Sequence, residues 1–158
     1  MQDYNSDPPF DRFLELYEAL NEDRRWWGDV TSLRYAAITA LHCPGSGSEI
    51  ATAIRDIAED LRQHTSWRSQ LRTDVRFVVA ASLLRMGDTP AAFLAEAERV
   101  QPMFRKLGLR RGHIHERLAI LVLRQRSQGA PLTEDTAVRF QELYEEMKRH
   151  HWWLTGPE

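Results

Sequence analysis

The sequence predicts an all-α fold of stacked helical hairpins, an α-solenoid of the HEAT or armadillo type with about seven helices. Two observations predict the helices. Apolar residues recur at three- and four-residue spacing, and no segment sustains the polar–apolar alternation of a half-buried strand. A third observation predicts the stacking, because an apolar segment headed by arginine returns about every 41 residues, a period typical of helix-pair repeats.

Four segments carry one apolar stripe each and predict amphipathic helices. The stripes run over 10–20, 50–61, 93–107 and 140–147. Three segments between them are apolar nearly all round, RYAAITAL, RFVVAASLL and RLAILVL, and these predict buried helices. Amphipathic and buried helices therefore alternate along the chain.

Polar residues and prolines mark the predicted helix starts. The predicted N-caps are Asp7, Ser48, Thr89 and Thr133, with prolines in the first turn after Asp7 and Thr89. Pro102 lies inside the segment 93–107, where its missing amide hydrogen predicts a kink or a split of the helix.

The internal repeat is marked by the arginines that head the three buried segments. Arg34, Arg76 and Arg117 lie 42 and 41 residues apart. One helical hairpin cannot bury its apolar face alone, whereas stacked neighbours can. The spacing thus predicts a two-helix unit repeated along a single domain, 1–158.

A longer echo joins the two ends of the chain. FLELYEALNEDRRWWGD begins at Phe13, and FQELYEEMKRHHWWLTG begins at Phe140; both contain F-x-E-L-Y-E followed by a tryptophan pair. Thr155 to Glu158 has the pattern of a capping box with a proline in the first turn, the start of a further helix. We therefore expect the N-terminal part of a longer, duplicated protein, whose next repeat starts near residue 152.

Several of these segments resemble those of a known family. The arginine-headed apolar helices, LLRMGD and ELYEEMKRHHWWLTGPE are similar to an uncharacterised bacterial family, domain of unknown function 4003, most specifically over 142–156. Members of that family have a similar LY..MK..H..LTG stretch near mid-chain and continue beyond it. The resemblance implies an all-helical bacterial protein with no assigned activity and no catalytic residues to carry over.

Composition narrows the possible classes of function. The 158 residues carry a net charge of −2, which predicts no strong bulk affinity for nucleic acid or membrane. The one cysteine, Cys43, permits no internal disulfide and fits a reducing cytoplasm. FVVAASLL, the longest apolar run, is far shorter than the roughly 20 residues that span a bilayer.

The leading interpretation of function is a non-catalytic scaffold that binds a protein partner or a second copy of itself. The candidate interface residues are Phe140, Leu143, Tyr144, Met147, Trp152 and Trp153, an apolar face followed by the second tryptophan pair. An alternative is a nucleic-acid-associated protein that uses a basic band over 99–126, in which the candidate residues are Arg105, Lys106, Arg110 and Arg111. A weaker alternative is an enzyme whose site lies in a C-terminal half beyond this sequence.

Other polar clusters have structural interpretations. His113, His115 and Glu116 lack the helical spacing of zinc ligands, as do the adjacent His150 and His151. The heading arginines are expected to form ion pairs, with Asp29, Asp74 or Glu116 as partners, in preference to an anion-binding groove. The acidic pairs Glu59–Asp60 and Glu145–Glu146 fit solvated helix faces. The sequence therefore predicts no metal, no cofactor and no catalytic residue.

Overall fold

The computed structural model describes residues 9–22, 29–65, 70–109 and 113–150. Every regular element in these ranges is helical, which confirms the predicted all-α class. The α-helices are α1 Pro9–Asn21, α2 Val30–Ala40, α3 Gly47–Gln63, α4 Val75–Met86, α5 Pro90–Lys106, α6 His113–Arg126 and α7 Glu134–His150. A short 3-10 turn, Gln70–Arg72, lies between α3 and α4.

The chain forms two compact units, Met1–Phe93 and Leu94–Glu158. The first contains α1 to α4 and the first turn of α5, and the second contains the rest of α5 with α6 and α7. Each unit buries large apolar side chains: Leu16 and Ile54 are fully buried in the first, and Phe104 and Ile120 nearly so in the second.

Helix packing in the first unit depends on small side chains. α1 packs against α2 and α3, and α4 packs against the same two helices. Ala36, Ala37, Ala51 and Ala80 are fully buried, and such small residues let helix axes approach closely. The predicted burial of RFVVAASLL is confirmed over 79–83, where five consecutive residues of α4 are buried.

The other two apolar segments are buried on one side only. Tyr35 and Ile38 of α2, and Val122 of α6, are each more than half exposed. Burial of these helices on all sides was therefore a wrong expectation. Apolar composition shows that a helix has covered faces, but the number of neighbouring helices decides how many faces are covered.

The cap predictions are confirmed at two helices. The hydroxyl of Thr89 accepts from the amide of Ala92 at 3.2 Å at the start of α5, and Thr133 accepts from Thr136 at 3.2 Å at the start of α7. For α3 the cap is Ser46, not Ser48. Ser46 is the cap because the carboxylate of Glu49, three residues later, accepts a hydrogen bond from the Ser46 amide at 2.7 Å, which completes a capping box.

Pro102 does not split its helix. α5 runs unbroken from Pro90 to Lys106 with Pro102 inside it. The proline ring fixes φ near the helical value, so the residue fits a helix and costs the hydrogen bond that its own nitrogen would have donated. Fully buried residues on either side of it, Val100 and Phe104, anchor the helix on both sides.

Two charged residues of α1 bind the loop between α2 and α3. The Arg12 guanidinium donates to the carbonyl of Gly45 at 2.5 Å, and the Glu15 carboxylate accepts from the amide of Gly47 at 2.5 Å. The bond from Gly47 lowers the pKa of Glu15. α1 and the start of α3 are so close that a Cβ at Gly47 would lie 2.7 Å from Cγ of Glu15.

Gly47→Ala is expected to destabilise the first unit by about 1 kcal/mol, because the added methyl group displaces Glu15 and breaks its bond. Urea unfolding followed by circular dichroism measures the change. In the Glu15→Ala background the same substitution should be neutral or stabilising, since the clash is gone and alanine favours helix. Equal losses in both backgrounds would contradict the close contact.

Cys43 is 9% exposed, and burial raises the pKa of its thiol. Because the thiolate is the reactive form, we expect a maleimide to label the folded protein at neutral pH at least about tenfold more slowly than the urea-unfolded chain. Cys43 is the one cysteine of the sequence, so the total labelling rate reports on it alone. Equal rates would show an open, accessible thiol.

No single helix in the described ranges is long and apolar enough to cross a membrane. α4 and α5 reach the required length and composition only as a bent pair, and a buried core helix passes the same test.

Candidate functional site

A cleft of about 200 Å³ opens in the second unit, where α5, α6 and α7 meet. Its lining comes from all three helices and from the residues after α5. The lining residues are Phe104, Gly108, Leu109, His115, Glu116, Ala119, Phe140, Tyr144, Glu145 and Lys148. Most of this lining is apolar, with charged groups of both signs among it.

The apolar wall of the cleft is aromatic. Phe104 of α5 is almost fully buried and stacks on Phe140 of α7, with ring centroids 5.8 Å apart and ring planes 5° from parallel. Tyr144 follows Phe140 by four residues, which places both side chains on the same side of α7. Stacked aromatic rings offer a large, rigid apolar contact area to a bound group.

Both α6 and α7 contribute polar residues to the lining. Glu116 is 5% exposed, and one of its carboxylate oxygens accepts from the Gln101 amide at 2.8 Å. His115 and Glu145 are exposed. An apolar pocket with a few placed polar groups is the usual composition of a site that receives a side chain or a small ligand.

The predicted interface residues on α7 fall into two groups. Phe140 and Tyr144 are half-buried and line the cleft. Leu143 and Met147 are 59% and 52% exposed. We call these two exposed residues the α7 face. Trp152 and Trp153 lie outside the described residues.

Part of the predicted basic band is engaged in contacts inside the protein. Arg99 donates to Glu96 at 2.7 Å and to the carbonyl of Leu132 at 2.6 Å, and Arg124 is 8% exposed. Of the candidate residues, Arg105 and Lys106 are exposed at the end of α5, and Lys106 lies 3.4 Å from Glu134. Arg110 and Arg111 lie outside the described residues.

The arginines that head the repeats have different neighbours. Arg34 lies over the ring of Tyr17, 5.7 Å from its centroid. Arg76 lies 3.5 Å from Asp74, as the ion-pair interpretation predicts, and burial lowers its pKa. Asp29 is instead the N-cap of α2, and its carboxylate accepts from the amide of Thr31 at 2.9 Å.

Burial lowers the pKa of Arg117, while the negative charges of Glu98 and Glu116 oppose this effect. Arg117, Glu98 and Glu116 share the lining of a second, smaller pocket between α5 and α6. Of the three predicted acidic partners of the arginines, Glu116 therefore acts on Arg117 through its charge, Asp74 forms a direct ion pair with Arg76, and Asp29 caps α2.

One acid of each candidate acid–base pair is held in an ion pair with a neighbouring arginine, Glu59 with Arg62 and Glu146 with Arg149. Hydrogen bonds from Arg62 and Gln63 lower the pKa of Glu59 to about 2, so it carries no proton to donate at neutral pH. Glu146 pairs with Arg149 at 2.7 Å and with His150 at 2.8 Å. Over the described residues no group of three or more histidine, cysteine, aspartate or glutamate side chains is placed to hold a metal ion.

No protein-family model, curated protein or solved structure matches this chain. The resemblance to domain of unknown function 4003 therefore stays an expectation, and the site has to be interpreted from its own geometry. Phe140 and Tyr144 of the cleft were predicted as interface residues, and two further lining residues carry a signal in the sequence: Phe104 belongs to an apolar stripe, and Glu116 is the one acid in the basic band. The sequence gives no sign that α5 places Phe104 against Phe140.

Proposed function

We propose that this chain is a non-catalytic protein-interaction domain of the helical-repeat type, and that its partner covers the α7 face and enters the adjoining cleft. One observation carries the proposal: two large apolar side chains, Leu143 and Met147, are more than half exposed beside an aromatic cleft. Apolar groups around a concave aromatic pocket are the usual core of a protein–protein interface.

The solenoid part of the proposal is supported by the alternation of helices. The three heading arginines lie on alternate helices, Arg34 on α2, Arg76 on α4 and Arg117 on α6, as a two-helix repeat of about 41 residues requires. The proposal places the domain in the reducing cytoplasm of a bacterium. The buried, unpaired thiol of Cys43 and the family resemblance support this placement.

Nucleic-acid binding has less support, since Arg99 and Arg124 of the basic band are engaged inside the second unit. Backbone phosphates bind cations that are free to meet them. The exposed cations Arg105, Lys106 and Arg126 remain, and Lys106 lies near a carboxylate.

Site-specific photo-crosslinking tests the proposal in the organism that encodes the chain. A benzophenone amino acid at position 143 or 147 is expected to give one defined protein adduct in each case. The matched control is position 122, where Val122 is similarly exposed on α6 of the same unit.

Adducts of the same mass from 143 and 147, together with a weak or absent adduct from 122, support the interface. An adduct with the mass of two copies of this chain identifies the partner as a second copy. Only unlinked chain from both α7 positions, or equal adducts from all three positions, would reject the α7 face as the binding surface.

A further inference from the structure

α7 repeats the contact residues of α1 as well as its apolar pattern. Six residues recur at an offset of 127. They are Arg12, Phe13, Glu15, Leu16, Tyr17 and Glu18 in α1, and Arg139, Phe140, Glu142, Leu143, Tyr144 and Glu145 in α7. Leu20 of α1 has an apolar equivalent, Met147. In α1, Arg12 and Glu15 bind the segment that joins α2 to α3, and Leu16 and Leu20 are buried. α7 carries the same or similar residues at these four positions, with Gln141 and Glu146 in place of Leu14 and Ala19.

The equivalent apolar positions differ completely in burial. Leu16 and Leu20 are 0% and 3% exposed, because α1 packs against both α2 and α3. Leu143 and Met147, at the same places on α7, form the exposed α7 face. The first copy of the pattern thus shows what covers such a face: a pair of helices joined by a short loop.

The polar positions point to the same kind of partner. On α1, Arg12 binds the carbonyl of Gly45 in the loop between α2 and α3, and Glu15 accepts from the amide of Gly47, the first residue of α3. Arg139 and Glu142, their equivalents on α7, are both exposed. A carboxylate at this place complements the positive end of an incoming helix, whose first amides have no partner within that helix.

We infer that the partner of the α7 face is a helical hairpin of the α2–α3 pattern. Its two helices cover Leu143 and Met147 with small and branched apolar side chains. Its connecting loop binds Arg139, and its second helix begins with a glycine whose amide binds Glu142, as Gly47 at the start of α3 binds Glu15. This inference rests on the proposed function, and it adds the shape and chemistry of the partner.

A grafted chain tests whether α7 accepts such a hairpin. Residue 148 is followed by a second copy of residues 22–93, so that α7 takes the place of α1 in front of a second α2, α3 and α4. The reporter is a thiol introduced by Leu143→Cys, with every Cys43 changed to alanine. Maleimide labelling of position 143 is expected to be at least about tenfold slower in the graft than in the parent chain, because the equivalent Leu16 is fully buried.

Two controls make the measurement specific to this face. A thiol at position 145 should label equally fast in graft and parent, since the equivalent Glu18 is exposed. A second graft gives α7 the apolar residues of α1 through the substitutions Gln141→Leu, Glu146→Ala and Met147→Leu. This graft measures the protection that a complete α1 face provides.

A thiol at position 143 that labels equally fast in parent and graft overturns the inference. If only the graft with the α1 residues is protected, the residues of α7 reject the hairpin; if neither is protected, the position of α7 rejects it. Neither result affects the photo-crosslinking experiment. A defined adduct with an unprotected graft would retain the interface and discard the hairpin, whereas loss of the adducts would discard both.

Discussion

Leu16→Ala is expected to lower the free energy of unfolding of the first unit by about 2–5 kcal/mol. Leu143→Ala, at the equivalent place of the second copy of the pattern, is expected to change the stability of the second unit by less than about 0.5 kcal/mol. The two leucines share their sequence neighbours but differ in burial, at 0% and 59% exposure. Truncation of Leu16 leaves a cavity where α1 packs against α2 and α3. Truncation of Leu143 exchanges one solvated side chain for a smaller one.

Urea unfolding of the two variants and the parent measures both effects. Circular dichroism reports on the helices of the whole chain. A fluorescent label attached to one unit reports on the unfolding of that unit alone, so the two measurements together assign each loss of stability to its unit. A loss at position 143 as large as that at position 16 would mean that Leu143 is covered in solution. In that case the α7 face could not be the open surface of the proposed interaction.

Local chemistry was enough to predict two helix starts, those of α5 and α7. Thr89 before Pro90, and Thr133 before an acidic first turn, are caps that any surroundings would preserve. In CPGSGS two serines compete, and Glu49 selects Ser46 because only that spacing closes a capping box. The sequence carries that signal, although Ser48 lies nearer to the apolar stripe.

Exposure was not predictable in the same way, because it depends on tertiary neighbours. RYAAITAL and RFVVAASLL have similar composition, yet Tyr35 and Ile38 face outward while 79–83 of α4 are all buried. The candidate site shows the same limit. The apolar stripe of α7 was recognisable from its spacing, but the division into a cleft side, with Phe140, and an exposed side, with Leu143, depends on where Phe104 of α5 packs.

Glu96→Ala is expected to destabilise the second unit by about 2–3 kcal/mol, the usual loss when bonds to a charged group are removed and a buried donor is left without an acceptor. Glu96 is 7% exposed, and its carboxylate accepts from Arg99 at 2.7 and 2.8 Å and from the amide of Leu132 at 2.6 Å. It therefore connects α5 to the segment that leads into α7, the helix that carries the proposed interface.

The same carboxylate makes the stability of the second unit depend on pH. The bonds from Arg99, the largest cause, and from Leu132 lower the pKa of Glu96 below its ordinary value. A carboxyl group whose pKa is lower in the folded state stabilises the fold fully at pH values above its unfolded-state pKa of about 4.3. That stabilisation is lost as the pH falls from there through the folded-state pKa. The stability gap between the parent and Glu96→Gln should thus be widest at pH 7 and should shrink as the pH falls below about 4.3.

Urea midpoints measured at pH 7, 4 and 3 test this expectation, with Glu142→Gln as the control. Glu142 is exposed on α7 of the same unit, so replacing its carboxylate by an amide should change the midpoints much less than Glu96→Gln does. A constant gap between the parent and Glu96→Gln across this range would show that the carboxylate acts through shape alone. A gap that closes in acid shows that its charge holds the loop before α7 to α5, and that protonation of this group loosens the unit that carries the proposed interface.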